Sequence, residues 1–268
     1  MSLKVKDFCS IMDQIAPKRL CENYDNVGLM VGDFNNDVSS ILVALDCTLE
    51  VIEEAISENC DLIFTHHPLL FKKAESVTNE TLLGKKITKL IKNDINVFSS
   101  HTNLDSVVGG INDRLVELLG FGSSEIIEPK NDKVFEAGIG RIVTMKDPMP
   151  LIELCNLVKG NLKIPSLSYV GEDDLMVQRI AIVSGSGSDY IEKSIELEAD
   201  CIISGDISYH YASDYNEVGF GIIDAGHFYT EWFALKEVGS YLQSILDSMK
   251  SNVLVKFSNS SKNPYKTK

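Results

Sequence analysis

The feature that most constrains this chain is a strand–helix–strand unit that occurs twice. Ile41-Leu42-Val43-Ala44-Leu45 reads as a buried strand, and residues 49–58 read as a helix with Val51, Ile52, Ala55 and Ile56 at helical spacing. Asp61-Leu62-Ile63-Phe64-Thr65 reads as a second buried strand. The same order recurs as Ile180-Ala181-Ile182-Val183-Ser184, a helix carrying Tyr190, Ile191, Ser194 and Ile195, and Asp200-Cys201-Ile202-Ile203-Ser204. Val43 precedes Asp61 by as many residues as Ile182 precedes Asp200. Parallel strands need a crossover, and the crossovers here are helical. The fold class is therefore α/β, with mostly parallel sheets covered on both faces.

The flanking segments extend the duplication. Residues 5–12 and 151–158 are amphipathic helices with Cys9 and Cys155 at similar places. One half continues through a helix at 82–92 into a strand at 95–99, and the other through 209–216 into 220–224. Residues 122–132, polar and containing Pro129, read as a surface linker, and residues 134–145 as an extra strand. The last helix, 227–248, is apolar along Trp232, Leu235, Val238, Leu242 and Leu246, and the tail at 258–264 is expected to fray. The expected organisation is a first repeat at 1–121, a linker with its strand at 122–148, and a second repeat at 149–268.

Composition excludes some functions. With 25 basic and 39 acidic residues the net charge is −14, which repels nucleic-acid backbones and anionic membranes. Mean hydropathy is +0.01, and the longest apolar runs are far too short to span a bilayer. Met1 to Asp7 runs straight into the first helix pattern without a signal peptide's apolar core. Six cysteines lack CxxC pairing, so reduced thiols in a cytoplasmic protein are expected rather than disulfides or a structural zinc site.

The histidines carry the chemistry. Four of the five lie in Thr65-His66-His67-Pro68, His101-Thr102-Asn103-Leu104-Asp105 and Gly226-His227-Phe228-Tyr229-Thr230-Glu231, each after a strand run. In open α/β sheets ligands bind where the chain leaves the carboxyl end of a strand. Neutral imidazole with carboxylate suits one or two divalent ions. His101/Asp105 and His227/Glu231 share a four-residue spacing, which on a helix places both groups on one face. Gly109-Gly110 suggests that His101 to Asp105 is a turn instead. Pro68 biases His67 toward extended backbone, where His66 and His67 would point opposite ways and reach two neighbouring ions. His210 has no such context and reads as an ordinary polar residue. Ser184-Gly185-Ser186-Gly187-Ser188 lacks the remaining residues of a dinucleotide or P-loop fingerprint and reads as a tight turn.

These segments, with His66-His67-Pro68-Leu69-Leu70-Phe71, Asp25-Asn26-Val27-Gly28-Leu29-Met30-Val31-Gly32 and Gly138-Ile139-Gly140-Arg141, resemble the NGG-one-interacting-factor-three-like family. Its members are widely described as GTP cyclohydrolase I type 2 homologues. The resemblance runs nearly end to end. It implies two intertwined α-β-(βα)3-type repeats, a dinuclear divalent-metal site in the cleft between them, and a ring-shaped homohexamer. It implies His66, His67, Asp105, His227 and Glu231 as metal ligands, with Glu231 as the bridge. His101 falls beside the metals, as a ligand, as a group orienting one, or as a catalytic proton carrier. Thr230 stands where the family usually has serine, and its hydroxyl is kept.

Two functions remain open at this point. One is a metal-dependent hydrolase acting on a small molecule, with a nucleotide such as GTP as one version. The other is a non-catalytic metal-binding or partner-binding regulatory protein. Histidine with carboxylate suits Zn²⁺, Mn²⁺, Fe²⁺ or Co²⁺ alike.

Overall fold

The computed structural model describes residues 3–266, so the outermost residues of the two expected repeats lie outside it. In chain order the elements begin with β1 (Leu3–Lys4), α1 (Val5–Ile15), β2 (Gly28–Val31), β3 (Asp37–Val38), β4 (Ser40–Ala44), α2 (Leu49–Ser57), β5 (Leu62–Thr65), α3 (Leu82–Lys92) and β6 (Asn96–Ser99). There follow α4 (Thr102–Ser106), α5 (Ile111–Leu118), β7 (Glu125–Pro129), β8 (Gly138–Pro150), α6 (Leu151–Leu162), β9 (Ser168–Val170), β10 (Met176–Ser186) and α7 (Ile191–Glu196). The chain closes with β11 (Cys201–Gly205), α8 (Tyr209–Glu217), β12 (Gly221–Asp224), α9 (His227–Ser248) and β13 (Leu254–Phe257).

Two compact units result. The first comprises the chain through Leu104 together with Leu235–Lys262, and the second Asp105–Ala234 with the residues from Asn263. The chain thus leaves the first unit within α4 and returns to it within α9.

The first unit holds a five-stranded sheet in the order β13-β4-β5-β6-β2, parallel except for β2. Its central strands are buried along their whole length, as continuous apolar runs require when both faces are covered. Helices α2 and α3 make the crossovers, each capped by a threonine: Thr48 accepts from the Val51 amide and Thr81 from the Gly84 amide. Phe8 of α1 packs edge-on against Phe64 and Phe98, with ring centroids 6.1 and 5.2 Å away. Burying each such ring contributes roughly 1.5–3 kcal/mol, so this cluster fixes α1 against the sheet.

The second unit holds a six-stranded sheet, β7-β8-β10-β11-β12-β9. Its centre, β10-β11-β12, is parallel, with α7 and α8 as crossovers, while β8, β7 and β9 add on as antiparallel strands. The parallel strand–helix–strand core read from the sequence is present in both units, and the antiparallel strands are extensions at its edges.

Three local expectations are corrected. Residues 122–132 are more than a linker, because β7 pairs with β8 and buries Ile127. Residues 258–264 do not simply fray: Glu54 accepts hydrogen bonds from Ser258 Oγ and from the Asn259 and Ser260 amides, after β13 has joined the sheet. The stretch from His101 to Asp105 is not a plain turn, since α4 begins at Thr102.

Candidate metal centre

In the first unit the carboxyl ends of β5 and β6 bring three imidazoles together. His66 and His67 follow β5, and His101 follows β6 one residue later. The rings lie 5.1–5.6 Å apart, and one ring nitrogen of each is within 4.8 Å of the others. The chain bends at His66 and His67 instead of continuing extended, so the two rings stand side by side, tilted by 42°. His66 and His67 therefore do not point opposite ways as expected, because the backbone that carries them is not extended. Buried hydroxyls hold the bend: Thr65 Oγ1 donates to the His67 carbonyl at 2.9 Å and pairs with Ser99 Oγ at 2.8 Å.

Each imidazole is mounted through Nδ1. His66, fully buried, sets Nδ1 2.9 Å from the Ser100 carbonyl. A carbonyl can only accept, so Nδ1 carries the proton and Nε2 the lone pair of the neutral ring. His67 Nδ1 lies 2.9 Å from Asp46 Oδ1, and His101 Nδ1 lies 3.0 Å from Asp25 Oδ1. Burial alone would push the Asp25 carboxyl up. Hydrogen bonds from His101 and Thr102, together with the attraction of the imidazole, outweigh burial and hold it well below the usual carboxylate range. Its donors are the Thr102 amide at 3.0 Å, Thr102 Oγ1 at 2.5 Å and the Asn26 amide at 2.7 Å, besides the His101 ring.

In the second unit, α9 opens with His227 and carries Glu231 one turn later. His227 Nε2 is 2.9 Å from Glu231 Oε2, so the shared helix face expected from their spacing is realised. Its Nδ1 meets Asp206 Oδ2 at 2.8 Å, placing the imidazole between two carboxylates. Asp206 follows β11, and Asp224 at the end of β12 accepts from the Gly226 and Ile207 amides, fixing the entry to α9. Burial, its largest influence, pushes the Asp224 carboxyl up.

The end of β10 gathers this set. Ser184 Oγ donates to Asp105 Oδ1 at 3.4 Å, and the Gly185 amide donates to Thr230 Oγ1 at 3.0 Å. Gly185 has φ +65°, and a Cβ there would collide with the Glu231 carboxylate. Glycine is thus demanded by close approach in the irregular last residues of β10, so Ser184–Ser186 are strand and not the tight turn expected. Thr230 hydrogen-bonds through the hydroxyl that serine would also offer.

The remaining family motif is structural. Arg141, 1% exposed, grips Asp113 through Nε at 2.5 Å and Nη2 at 2.9 Å, and donates through Nη1 to the Gly138 and Gly140 carbonyls at 2.9 Å. His210 is exposed on α8. Sequence reading missed the orienting carboxylates. Asp46 and Asp206 each follow a buried strand within two residues, and each stands 21 residues before its histidine. That position was the available signal.

The donor set suits a divalent ion. Histidine ligands bind through one nitrogen while the other donates to a carboxylate or carbonyl. His66, His67, His101 and His227 all have Nδ1 engaged in that way. Tetrahedral ligands on bonds of about 2.0–2.1 Å stand about 3.3 Å apart, a small opening from the 2.9 Å between His227 Nε2 and Glu231 Oε2.

Residues 3–264 match the family model described as Duf34/NIF3 (NGG1p interacting factor 3). The chain belongs to this family. It is 52% identical over 268 residues to a GTP cyclohydrolase 1 type 2 homolog of Clostridium acetobutylicum, covering 100% of both chains. With another from Clostridium perfringens it shares 50% identity over 246 residues, 92% of this chain and 94% of the relative. Among solved members, Staphylococcus aureus hypothetical protein SA1388 superposes with a TM-score of 0.93 at 31% identity, covering 100% of both chains. Reduced HcgD from Methanocaldococcus jannaschii superposes with a TM-score of 0.81 at 30% identity, covering 97% of this chain and 99% of that one. Among the described residues no helix is long and apolar enough to cross a membrane.

Proposed function

We propose that this family member is a divalent-metal-dependent hydrolase acting on a small molecule, with two ions held by His66, His67, Asp105, His227 and Glu231. A nucleotide such as GTP, which the names of its relatives suggest, is one version of the substrate. The observation that carries the reading is the shared mounting of four histidines, each with Nδ1 on an oxygen acceptor. Tethering several imidazoles by the same nitrogen prepares the other nitrogens for ligation before any ion arrives. The donors also outnumber the four that a single tetrahedral ion uses. Such ions, when bound, supply Lewis acidity toward the substrate and acidify water.

The chain's own residues divide the remaining work. His101 differs from the other carboxylate-tied histidines in that its partner, Asp25, is wholly buried, whereas the Asp46 and Asp206 side chains are 54% and 53% exposed. A buried carboxylate holds an imidazole's orientation and tautomer more firmly than a solvated one. His101 Nε2 is therefore assigned to take up and return a proton during hydrolysis, with Asp25 holding the ring's tautomer. Asp46 and Asp206 orient His67 and His227 as ligands. Glu231, packed over Gly185, would be among the carboxylates that hold the ions.

The test is turnover of metal-loaded wild type beside Glu231→Ala, against nucleotides and cyclic amides, with metal content measured in parallel. About two ions per wild-type chain are expected, with product from wild type only. Equal product from both proteins would falsify the hydrolytic reading.

A further inference from the structure

We propose that Asn112 is a positioning residue for the metal centre, locking Asp105 to the end of β10 and so fixing where that carboxylate stands relative to His227 and Glu231. This rests on the reading of those three side chains as metal ligands. Asn112 is the second residue of α5 and is completely buried. Its Nδ2 donates to the Asp105 carbonyl at 3.0 Å, and its Oδ1 accepts from the Ser184 amide at 2.9 Å. A carbonyl only accepts and an amide N–H only donates, so the side-chain amide fits one way round. A side chain of that size without both a donor and an acceptor could not make this bridge.

A second bridge begins at the next residue of the strand. The Gly185 amide donates to Thr230 Oγ1 at 3.0 Å, and that hydroxyl donates in turn to the His227 carbonyl at 2.9 Å. Two adjacent amides of β10 therefore tie the segment carrying Asp105, and the turn of α9 carrying His227 and Glu231, to one piece of backbone. All of these residues lie in the second unit.

Asp105 needs such help because its own segment is weakly built. It sits in α4, a helix of five residues, and Gly109-Gly110 follows soon after. So short a helix is marginal by itself, and paired glycines add freedom. The strut, by contrast, is firmly held. Asp113, next to Asn112, is gripped by the buried Arg141 and accepts from the Gly109 amide at 2.6 Å. Arg141 also reaches the Val107 carbonyl at 3.4 Å. The chain from Asp105 to Gly109 is thus fastened at three points, and Asn112 makes the one at the ligand itself.

The experiment is a Co²⁺ titration of the full chain, read by visible absorption. It compares wild type, Asn112→Leu, Asp105→Ala, the double variant and Val116→Ala, each checked for folding by circular dichroism. Leucine keeps the bulk of asparagine but makes neither hydrogen bond. Val116→Ala removes buried volume from the same helix and reports on general loosening of α5. Asn112→Leu should weaken, by about 10–100-fold, the binding step that Asp105→Ala weakens. In the Asp105→Ala background it should cost nothing further, since no carboxylate is left to place. Val116→Ala should titrate as wild type. The proposal is overturned if Asn112→Leu binds as wild type, if Val116→Ala loses as much affinity, or if Asn112→Leu costs the same with and without the Asp105 carboxylate. If leucine prevents folding, Asn112→Ser carries the same cycle with the same criteria. A wild type that takes up no Co²⁺ would instead overturn the metal reading, and this proposal with it.

Discussion

The two units mount their histidines by the same nitrogen but in different company. In the first, three imidazoles cluster and their tethers are one carbonyl and two carboxylates, all attached through Nδ1. In the second, a single imidazole lies between Asp206 and Glu231, one at each ring nitrogen. The first arrangement gathers neutral nitrogen donors, and the second concentrates negative charge. Nitrogen donors confer selectivity among transition ions, whereas carboxylates supply attraction and bridging.

The largest expected effect comes from removing a donor on each side. A His67→Ala, His227→Ala double variant should lose nearly all bound metal by elemental analysis, while retaining its circular-dichroism spectrum. Retention of the full complement would show that neither imidazole is a ligand.

The frame of the second unit comes next. Replacing Arg141 with Met leaves Asp113 as a poorly compensated, largely buried charge, and should cost about 3–5 kcal/mol in chemical denaturation. A loss below about 1 kcal/mol would mean that the pair is dispensable. In the first unit the buried carboxylate of Asp25 is compensated by His101 and by several hydrogen bonds.

Smaller effects separate the tethers. Asp46→Ala and Asp206→Ala should each weaken metal affinity by about 10–100-fold without abolishing it, measured by competition with a chelator. Asp206→Ala should do the less damage if Glu231 alone can orient His227, and equal losses would argue that the two units orient their ligands independently.

The smallest effect lies at the tail of the first unit. Burial would raise Glu54, but its bonds to Ser258, Asn259 and Ser260 prevail and lower its pKa. A carboxylate with a depressed folded-state pKa contributes stability above its unfolded value, and that contribution disappears as pH falls through the folded value. Glu54→Gln should therefore cost about 1 kcal/mol at neutral pH and progressively less in acid. An undiminished difference at low pH would assign the effect to packing.

Much of this was legible in advance. Buried strands read as unbroken apolar runs, and α3 and α9 begin and end where the pattern placed them. The stripe from Trp232 to Leu246 is buried as its spacing required. Edge elements were harder. Strand β7 sits in a polar stretch because one of its faces is exposed, and residues 258–264 read as tail until a distant Glu54 gives them hydrogen bonds. The bend at His66 and His67 also escaped, since Pro68 argues for extension while the buried hydroxyls of Thr65 and Ser99 decide otherwise.

The sequence by itself determined the doubled α/β order and the candidate ligand types, because hydrophobic period and strand-end position are local properties of the chain. Only tertiary structure decided which carboxylates serve the histidines. Asp25, Asp46 and Asp206 look like ordinary acidic residues until neighbouring strand ends carry them to within hydrogen-bond reach of an imidazole. Strand-end position marks Asp46 and Asp206 as candidates, but which acid meets an imidazole and fixes its tautomer depends on which strands lie side by side.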